Sequence, residues 1–314
     1  MGLINPVTTS KRNAYLVDLG TGTDRNLLPL GIGLISSYCN SILEIRENYN
    51  IDLRFLRVAP KEFVNSLEKP VVVGFACYAW NFNASISMAW SLKQKFPKCQ
   101  IVFGAYSVPS TTSRMETFFK KHPYVDTLVH NEGELTFANL LLSFVQGRPL
   151  STVQGISYRC SDVPEGYIMN SKREESIQLD SIPSPFLSGT FDALMRRSHD
   201  QITGIIWETS RDCPYPCTFC AWGKTDGKSI RKFNLDRLYD ELDWMGRNKI
   251  VYVSGSDANF GMFYQRDLEI AEKVVKVHRD TGFPRVLNMM WAKNSNEKVM
   301  RIADALREGG LNAR

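Results

Sequence analysis

Cys213-Pro-Tyr-Pro-Cys217-Thr-Phe-Cys220 crowds three cysteines into one short loop, directly after an apolar run, 202–207, that reads as a buried strand. Cysteine thiolates are the usual ligands of iron–sulfur cubanes, and four of them would make a closed electron carrier. Three thiolates at this spacing hold three irons of a [4Fe-4S] cluster and leave the fourth open to an outside ligand, as an enzyme requires. No fourth cysteine follows. A structural zinc site wants four ligands, commonly paired cysteines or a later histidine pair. The next histidine, His278, stands alone on a predicted helix. Simple core packing fits poorly with two prolines and the polar neighbours Arg211, Asp212 and Thr218.

With the aromatic Phe219 before its last cysteine, the loop resembles the CxxxCxΦC signature of the radical S-adenosylmethionine (SAM) superfamily. The flanks Trp207-Glu-Thr-Ser-Arg211 and Ala221-Trp-Gly223 resemble its cobalamin-dependent branch. The resemblance implies that the amino and carboxylate groups of SAM chelate the open iron. Reductive cleavage then gives methionine and a 5′-deoxyadenosyl radical, with the electron supplied by a donor such as flavodoxin or ferredoxin.

The elements that must position this loop follow a βα rhythm. Apolar runs at 202–207, 249–254 and 285–290 alternate with helical patterns at 234–247, 265–281 and 297–309. Chemistry on loops after such strands is the logic of a (β/α) barrel. Ser256, Asp257 and Asn259 follow the second strand, where the family holds the amino group of SAM; an Asx turn would serve Asn259 as well. Phe219 and Trp222 are candidates to wall the adenine, or else ordinary core aromatics. Arg211 is a candidate to neutralise a carboxylate, against a plain surface role. Residues 311–314 read as the approach to a fourth strand. Three βα units are visible, roughly half of what a family barrel needs. The radical SAM domain, residues 201–314, is therefore expected to be an incomplete, N-terminal part of the barrel. Most substrate contacts are expected in the remainder.

The first half reads as α/β. Strands at 14–19, 51–57, 71–76, 100–104 and 125–129 alternate with helices at 31–46, 83–96, 110–121 and 134–146. β-Branched runs of this kind predict a parallel sheet covered on both faces, flavodoxin- or Rossmann-like, with its ligand over the carboxyl ends of the strands. The connecting segments there hold Leu28, Pro29, Leu30, Gly31 and Gly33; then Tyr78, Trp80 and Asn81; then Gly104, Ala105 and Tyr106; then Glu132, Gly133 and Glu134. Any one such turn is a weak signal, since glycines serve ordinary βα connections too. Together the four resemble the cobalamin-binding domain that precedes the barrel in this family, which implies that they ring a corrin. Two features depart from the pattern. Ala105 stands where a second bare glycine is usual, and the first loop has no D-x-H-x-x-G to offer cobalt an imidazole. The expected boundaries are a cobalamin-binding domain at 1–150 and a connector at 151–200. That connector contains a hairpin over 154–159 and 166–170 and the breaker Ser181-Ile-Pro-Ser-Pro185.

Over 314 residues, the apolar fraction of 43% and charged fraction of 23% are those of an ordinary globule. The net charge of +5 is dispersed, which gives nucleic-acid binding no support. No run approaches a membrane span, no signal-peptide core is present, and Pro6 occupies the position where a myristoylation site wants Ser or Thr. Seven cysteines, three of them in one motif, suit a reducing cytoplasm. Cys39, Cys77, Cys99 and Cys160 read as small buried hydrophobes. The resemblance implies a cobalamin-dependent radical SAM C-methyltransferase acting on a small molecule or peptide. SAM would be used once as methyl source and once as radical source. A non-methylating rearrangement or ring formation, or a corrinoid-binding module without turnover, are the alternatives.

Overall fold

The computed structural model describes residues 10–20, 26–173, 176–220, 229–293 and 296–313. In chain order the first elements are β1 (Arg12–Val17), β2 (Leu27–Leu28), α1 (Leu30–Ser41), α2 (Leu43–Asn48), β3 (Tyr49–Arg54) and α3 (Pro60–Asn65). There follow β4 (Pro70–Ala76), α4 (Phe82–Lys95), β5 (Gln100–Gly104), α5 (Thr112–Lys121), β6 (Thr127–Val129), α6 (Gly133–Gln146), β7 (Ile156–Arg159) and β8 (Tyr167–Met169). The remainder comprises α7 (Asp192–Ser198), β9 (Gly204–Trp207), β10 (Ser210–Arg211), β11 (Arg231–Lys232), α8 (Leu235–Arg247) and β12 (Tyr252–Gly255). It closes with α9 (Tyr264–Thr281), β13 (Val286–Asn288), α10 (Asn296–Glu308) and β14 (Asn312–Ala313). Among the described residues no helix is long and apolar enough to cross a membrane.

These elements form two compact units, one of residues 1–19 and 38–176, the other of 20–37 and 177–314. In the first, the sheet order is β3-β1-β4-β5-β6-β7-β8. Its first five strands are parallel, in the order of a doubly wound flavodoxin-like sheet. The core is built from side chains of alternating strand positions and the helices over them. Phe75 and Phe103 meet edge-on at 5.4 Å, with Val73, Ile101, Met88 and Phe119 buried around them. Gly147, at φ +63°, terminates α6 in the left-handed conformation that frees a helix end. The hairpin predicted in the connector does form, but it extends the first sheet rather than linking two bodies: β7 pairs antiparallel with β6. The helix predicted over 31–46 is broken at Ile42, whose extended backbone separates α1 from α2.

The second unit holds a five-stranded sheet in the order β14-β13-β12-β9-β2, parallel throughout. Within 311–314, read from sequence only as the approach to a fourth strand, a short one does form, β14, paired with β13. At the other edge, β2 pairs with β9 (Leu27 with Gly204, Leu28 with Ile205). Asn234 caps α8 by accepting the Asp236 N–H at 2.9 Å.

Candidate active site

The cysteine loop grows out of the carboxyl end of β9, and its neck is closed by a small ribbon. Ser210 pairs with Lys232 and Arg211 with Arg231, so the chain leaves and returns on adjacent rails. Asp212, at φ +82°, turns the chain into the loop, and its Oδ2 accepts from Arg231 Nε at 2.8 Å. Arg266, from α9, reaches both rails: Nη2 donates to Thr209 O at 2.8 Å and to Phe233 O at 3.0 Å. Arg211 is held by Glu208 through contacts of 2.8 to 3.3 Å, so the carboxylate it neutralises in this structure is its neighbour's.

The segment after β12 underpins the same exit. Asp257 is 1% exposed, and its Oδ1 accepts the Thr209 N–H at 2.6 Å. Its Oδ2 accepts from both the Thr209 hydroxyl and the Ser210 hydroxyl. Burial pushes this carboxyl's pKa up, and the Thr209 and Ser210 hydrogen bonds oppose the shift. The Ser256 N–H and hydroxyl both donate to Trp207 O, at 2.8 and 3.2 Å. Ser256 and Asp257 thus tie β12 to the end of β9, with three hydrogen bonds from Thr209 and Ser210 converging on the Asp257 carboxyl. Asn259 turns toward the cysteine loop instead: its Nδ2 lies 3.1 Å from Cys213 Sγ.

Cys213, Cys217 and Cys220 are all partly exposed, and the Cys220 N–H donates to Cys217 O at 3.1 Å, closing a turn. Among the described residues no three Cys, His, Asp or Glu side chains converge as a ready-made metal site. The donor set nevertheless suits a cluster chemically: three soft, accessible thiols lie on one eight-residue loop whose base is pinned. Phe219 projects at 85% exposure, with Lys293 Nζ 6.0 Å from its ring centre. Trp222 lies outside the described residues. Cys39, Cys77 and Cys99 are buried, and burial drives all three thiols upward in pKa, Cys99 to about 12. They are core residues. Thr209, Ser210, Arg231 and Arg266 were not singled out by the sequence reading, because their partners lie far away along the chain.

At the carboxyl edge of the first sheet, the segments after β4 and β5 are joined: the Cys77 N–H donates to Gly104 O and the Ser107 N–H to Cys77 O. Tyr78 and Trp80 stack at 4.7 Å with planes 7° apart, and Tyr106 lies 6.4 Å from Tyr78. Trp80 is 51% and Tyr106 65% exposed, leaving an aromatic surface over the strand ends. Asn81 does not share that surface. Its amide is buried, accepts the Tyr78 N–H at 2.7 Å, and donates to Leu19 O and Ala76 O, both at 3.0 Å, and to Asp18 Oδ1 at 3.4 Å. Burial raises Asp18 from 3.8 to about 7. Ala105 adopts φ +68°, a left-handed conformation that glycine holds without strain. After β6, Asn131 is also left-handed, Gly133 opens α6, Glu134 is buried, and Glu132 lies 3.6 Å from Arg173.

The segment Leu28–Gly33 is corrected in its placement. It is not a loop of the first sheet; Leu28 is part of β2, and Pro29, Leu30 and Gly33 are buried in the second unit, with Gly31 exposed. The reason is steric as well as hydrogen-bonded. A Cβ on Gly33 would lie 2.4 Å from Phe191 Cζ, so this glycine admits a neighbouring ring.

No protein-family model matches the chain. It is 34% identical over 304 residues to the cobalamin-dependent radical SAM methyltransferase TokK of Streptomyces tokunonensis, covering 96% of this chain and 43% of that protein. It is 33% identical to the 2-(S-pantetheinyl)-carbapenam-3-carboxylate methyltransferase of Streptantibioticus cattleyicolor, covering 98% of this chain and 44% of that one. Among solved structures, the cobalamin-dependent radical enzyme OxsB, with aqua-cobalamin and SAM bound, superposes with a TM-score of 0.68 at 18% identity, over 96% of this chain and 43% of OxsB. The chain thus spans less than half the length of these relatives. By sequence it belongs to the cobalamin-dependent radical SAM family, and its fold is similar to that of OxsB.

Proposed function

We propose that this chain supplies the cobalamin-binding and cluster-binding parts of a radical SAM C-methyltransferase acting on a small molecule or peptide. The observation that carries the reading is the three-cysteine loop at the end of β9, held at its neck by Asp257, Arg231 and Arg266. Cys213, Cys217 and Cys220 would hold a [4Fe-4S] cluster with one iron left for SAM. The cofactors would supply SAM cleavage to a 5′-deoxyadenosyl radical and, through cobalamin, a transferable methyl group. Phe219 offers its exposed face to the adenine, and Lys293 adds positive charge beside it. Tyr78, Trp80 and Tyr106 offer a flat aromatic contact surface to the corrinoid, with Asn81 holding the backbone beneath it. Reduction would come from a small redox protein of the flavodoxin or ferredoxin kind.

Anaerobic reconstitution with iron, sulfide and hydroxocobalamin, followed by reductant and SAM, tests this reading by mass spectrometry. S-adenosylhomocysteine and 5′-deoxyadenosine are expected, and Cys217→Ala abolishes both. Cofactor uptake with neither product would reduce the reading to a corrinoid- and cluster-binding module. Uptake of neither cofactor would sink it.

A further inference from the structure

Asn259 sits on the segment after β12, 7% exposed, with its side-chain amide nitrogen 3.1 Å from Cys213 Sγ. Its neighbours hold it from both sides. Asp257, two residues earlier, is bonded to Thr209 and Ser210. Just beyond, the Phe260 N–H donates to Met290 O at 2.8 Å, and the Gly261 N–H donates to Asp267 Oδ2 at 2.8 Å. The Met262 N–H donates to Asn259 O at 3.2 Å. The amide is therefore delivered to the sulfur by a segment with little freedom to withdraw it.

We infer that Asn259 is a positioning residue for the cluster, donating an N–H···S hydrogen bond to the Cys213 thiolate that raises the cluster's reduction potential. The inference rests on the reading that Cys213 ligates a [4Fe-4S] cluster. A metal-bound thiolate carries no proton, so only the NH₂ end of the amide can face it. Reduction places additional negative charge on the cluster and its sulfur ligands. A donor dipole fixed at one of those sulfurs stabilises the reduced form more than the oxidised one, and burial limits the solvent screening of that effect. Partners of metal ligands set both the orientation and the electronics of the ligand they touch. An amide is suited to this task because it brings a donor without a charge of its own.

The test compares wild-type protein with Asn259→Leu, which removes the donor at similar volume, and Asn259→Asp, which keeps the shape but faces the sulfur with a carboxylate. Each is reconstituted anaerobically, assayed for iron and sulfide per chain, and titrated against redox mediators with the reduced cluster followed by electron paramagnetic resonance. The expected result is equal cluster content with midpoint potentials falling in the order wild type, Leu, Asp. Should the Leu variant fail to fold, the near-isosteric Asp variant decides alone. Equal potentials in cluster-loaded wild type and variant would overturn the inference while leaving the functional reading intact. A wild-type chain that takes up no cluster would overturn both.

Discussion

The two sheets present different kinds of surface at their carboxyl ends. The first offers large aromatic faces, Trp80 and Tyr106, and keeps a nearby polar amide, Asn81, turned inward on backbone groups. The second is dominated by carboxyl, guanidinium and hydroxyl groups, Asp257, Arg231, Arg266 and Thr209, nearly all spent on holding one loop in shape. A surface of flat apolar area suits a broad ligand held by contact, since aromatic faces give large buried area with little directional demand. A pinned loop of thiols suits a small ligand held by bonds with fixed geometry. The difference locates where precision is needed: at the sulfurs, not at the aromatic ledge.

If that contrast is right, the largest effect comes from Asp257→Ala. The substitution strands the Thr209 N–H and the Thr209 and Ser210 hydroxyls, and buried unsatisfied groups cost roughly 1–3 kcal/mol each. We expect a loss on the order of 3–5 kcal/mol by denaturant unfolding. Native-state hydrogen exchange should show lost protection in β9 and β12 while β1 and β4 keep theirs. Loss of protection spread equally over both sheets would break the comparison.

Asp18→Asn probes the other edge. Asp18 retains its proton to about pH 7 in the folded protein, against 3.8 for an unhindered carboxyl. Between those values the native state binds a proton that the unfolded chain has released, so stability falls as pH rises through the window and stays low above it. The full effect of this one group is on the order of 4 kcal/mol. Asn substitution should flatten the decline between about pH 4 and 7, as read from urea midpoints across pH. An unchanged slope would show that the Asp18–Asn81 contact is solvated.

Ala105→Gly gives the smallest change. A left-handed alanine costs roughly 1–2 kcal/mol, partly offset by the greater chain entropy of glycine. A net gain of about 0.5–1 kcal/mol is expected, visible as a higher thermal midpoint. Gly104 beside it is different. A Cβ there would meet only Val129, at ordinary van der Waals distance, so the strained position of the pair is the second one.

Much of the scaffold was legible because it is written in local period. The runs 71–76 and 100–104 are β-branched and apolar, and they emerge as β4 and β5 with bounds moved by a residue at most. The helices α8, α9 and α10 begin and end within a residue of the expected limits, because Asn234 is a good cap and Gly282 is a natural stop. The hairpin of β7 and β8 was equally visible, but not the sheet it joins. Residues 27–28 carry too short an apolar run to announce a strand, and nothing in their own pattern points to β9, whose paired residues lie more than 170 positions away.

The sequence by itself determined the alternation of strands and helices, the flavodoxin-like order of the first five parallel strands and the grouping of three thiols on one loop. Each of these is encoded in residue types at short, regular spacing. Only the tertiary structure decided that Asp257 braces the exit of β9 while Asn259, two residues on, faces Cys213. It also decided that Asn81 works beneath the aromatic surface rather than on it. Those outcomes turn on which buried donor meets which acceptor across tens of residues of chain. Burial makes such pairings obligatory, but only the packed fold selects the partner.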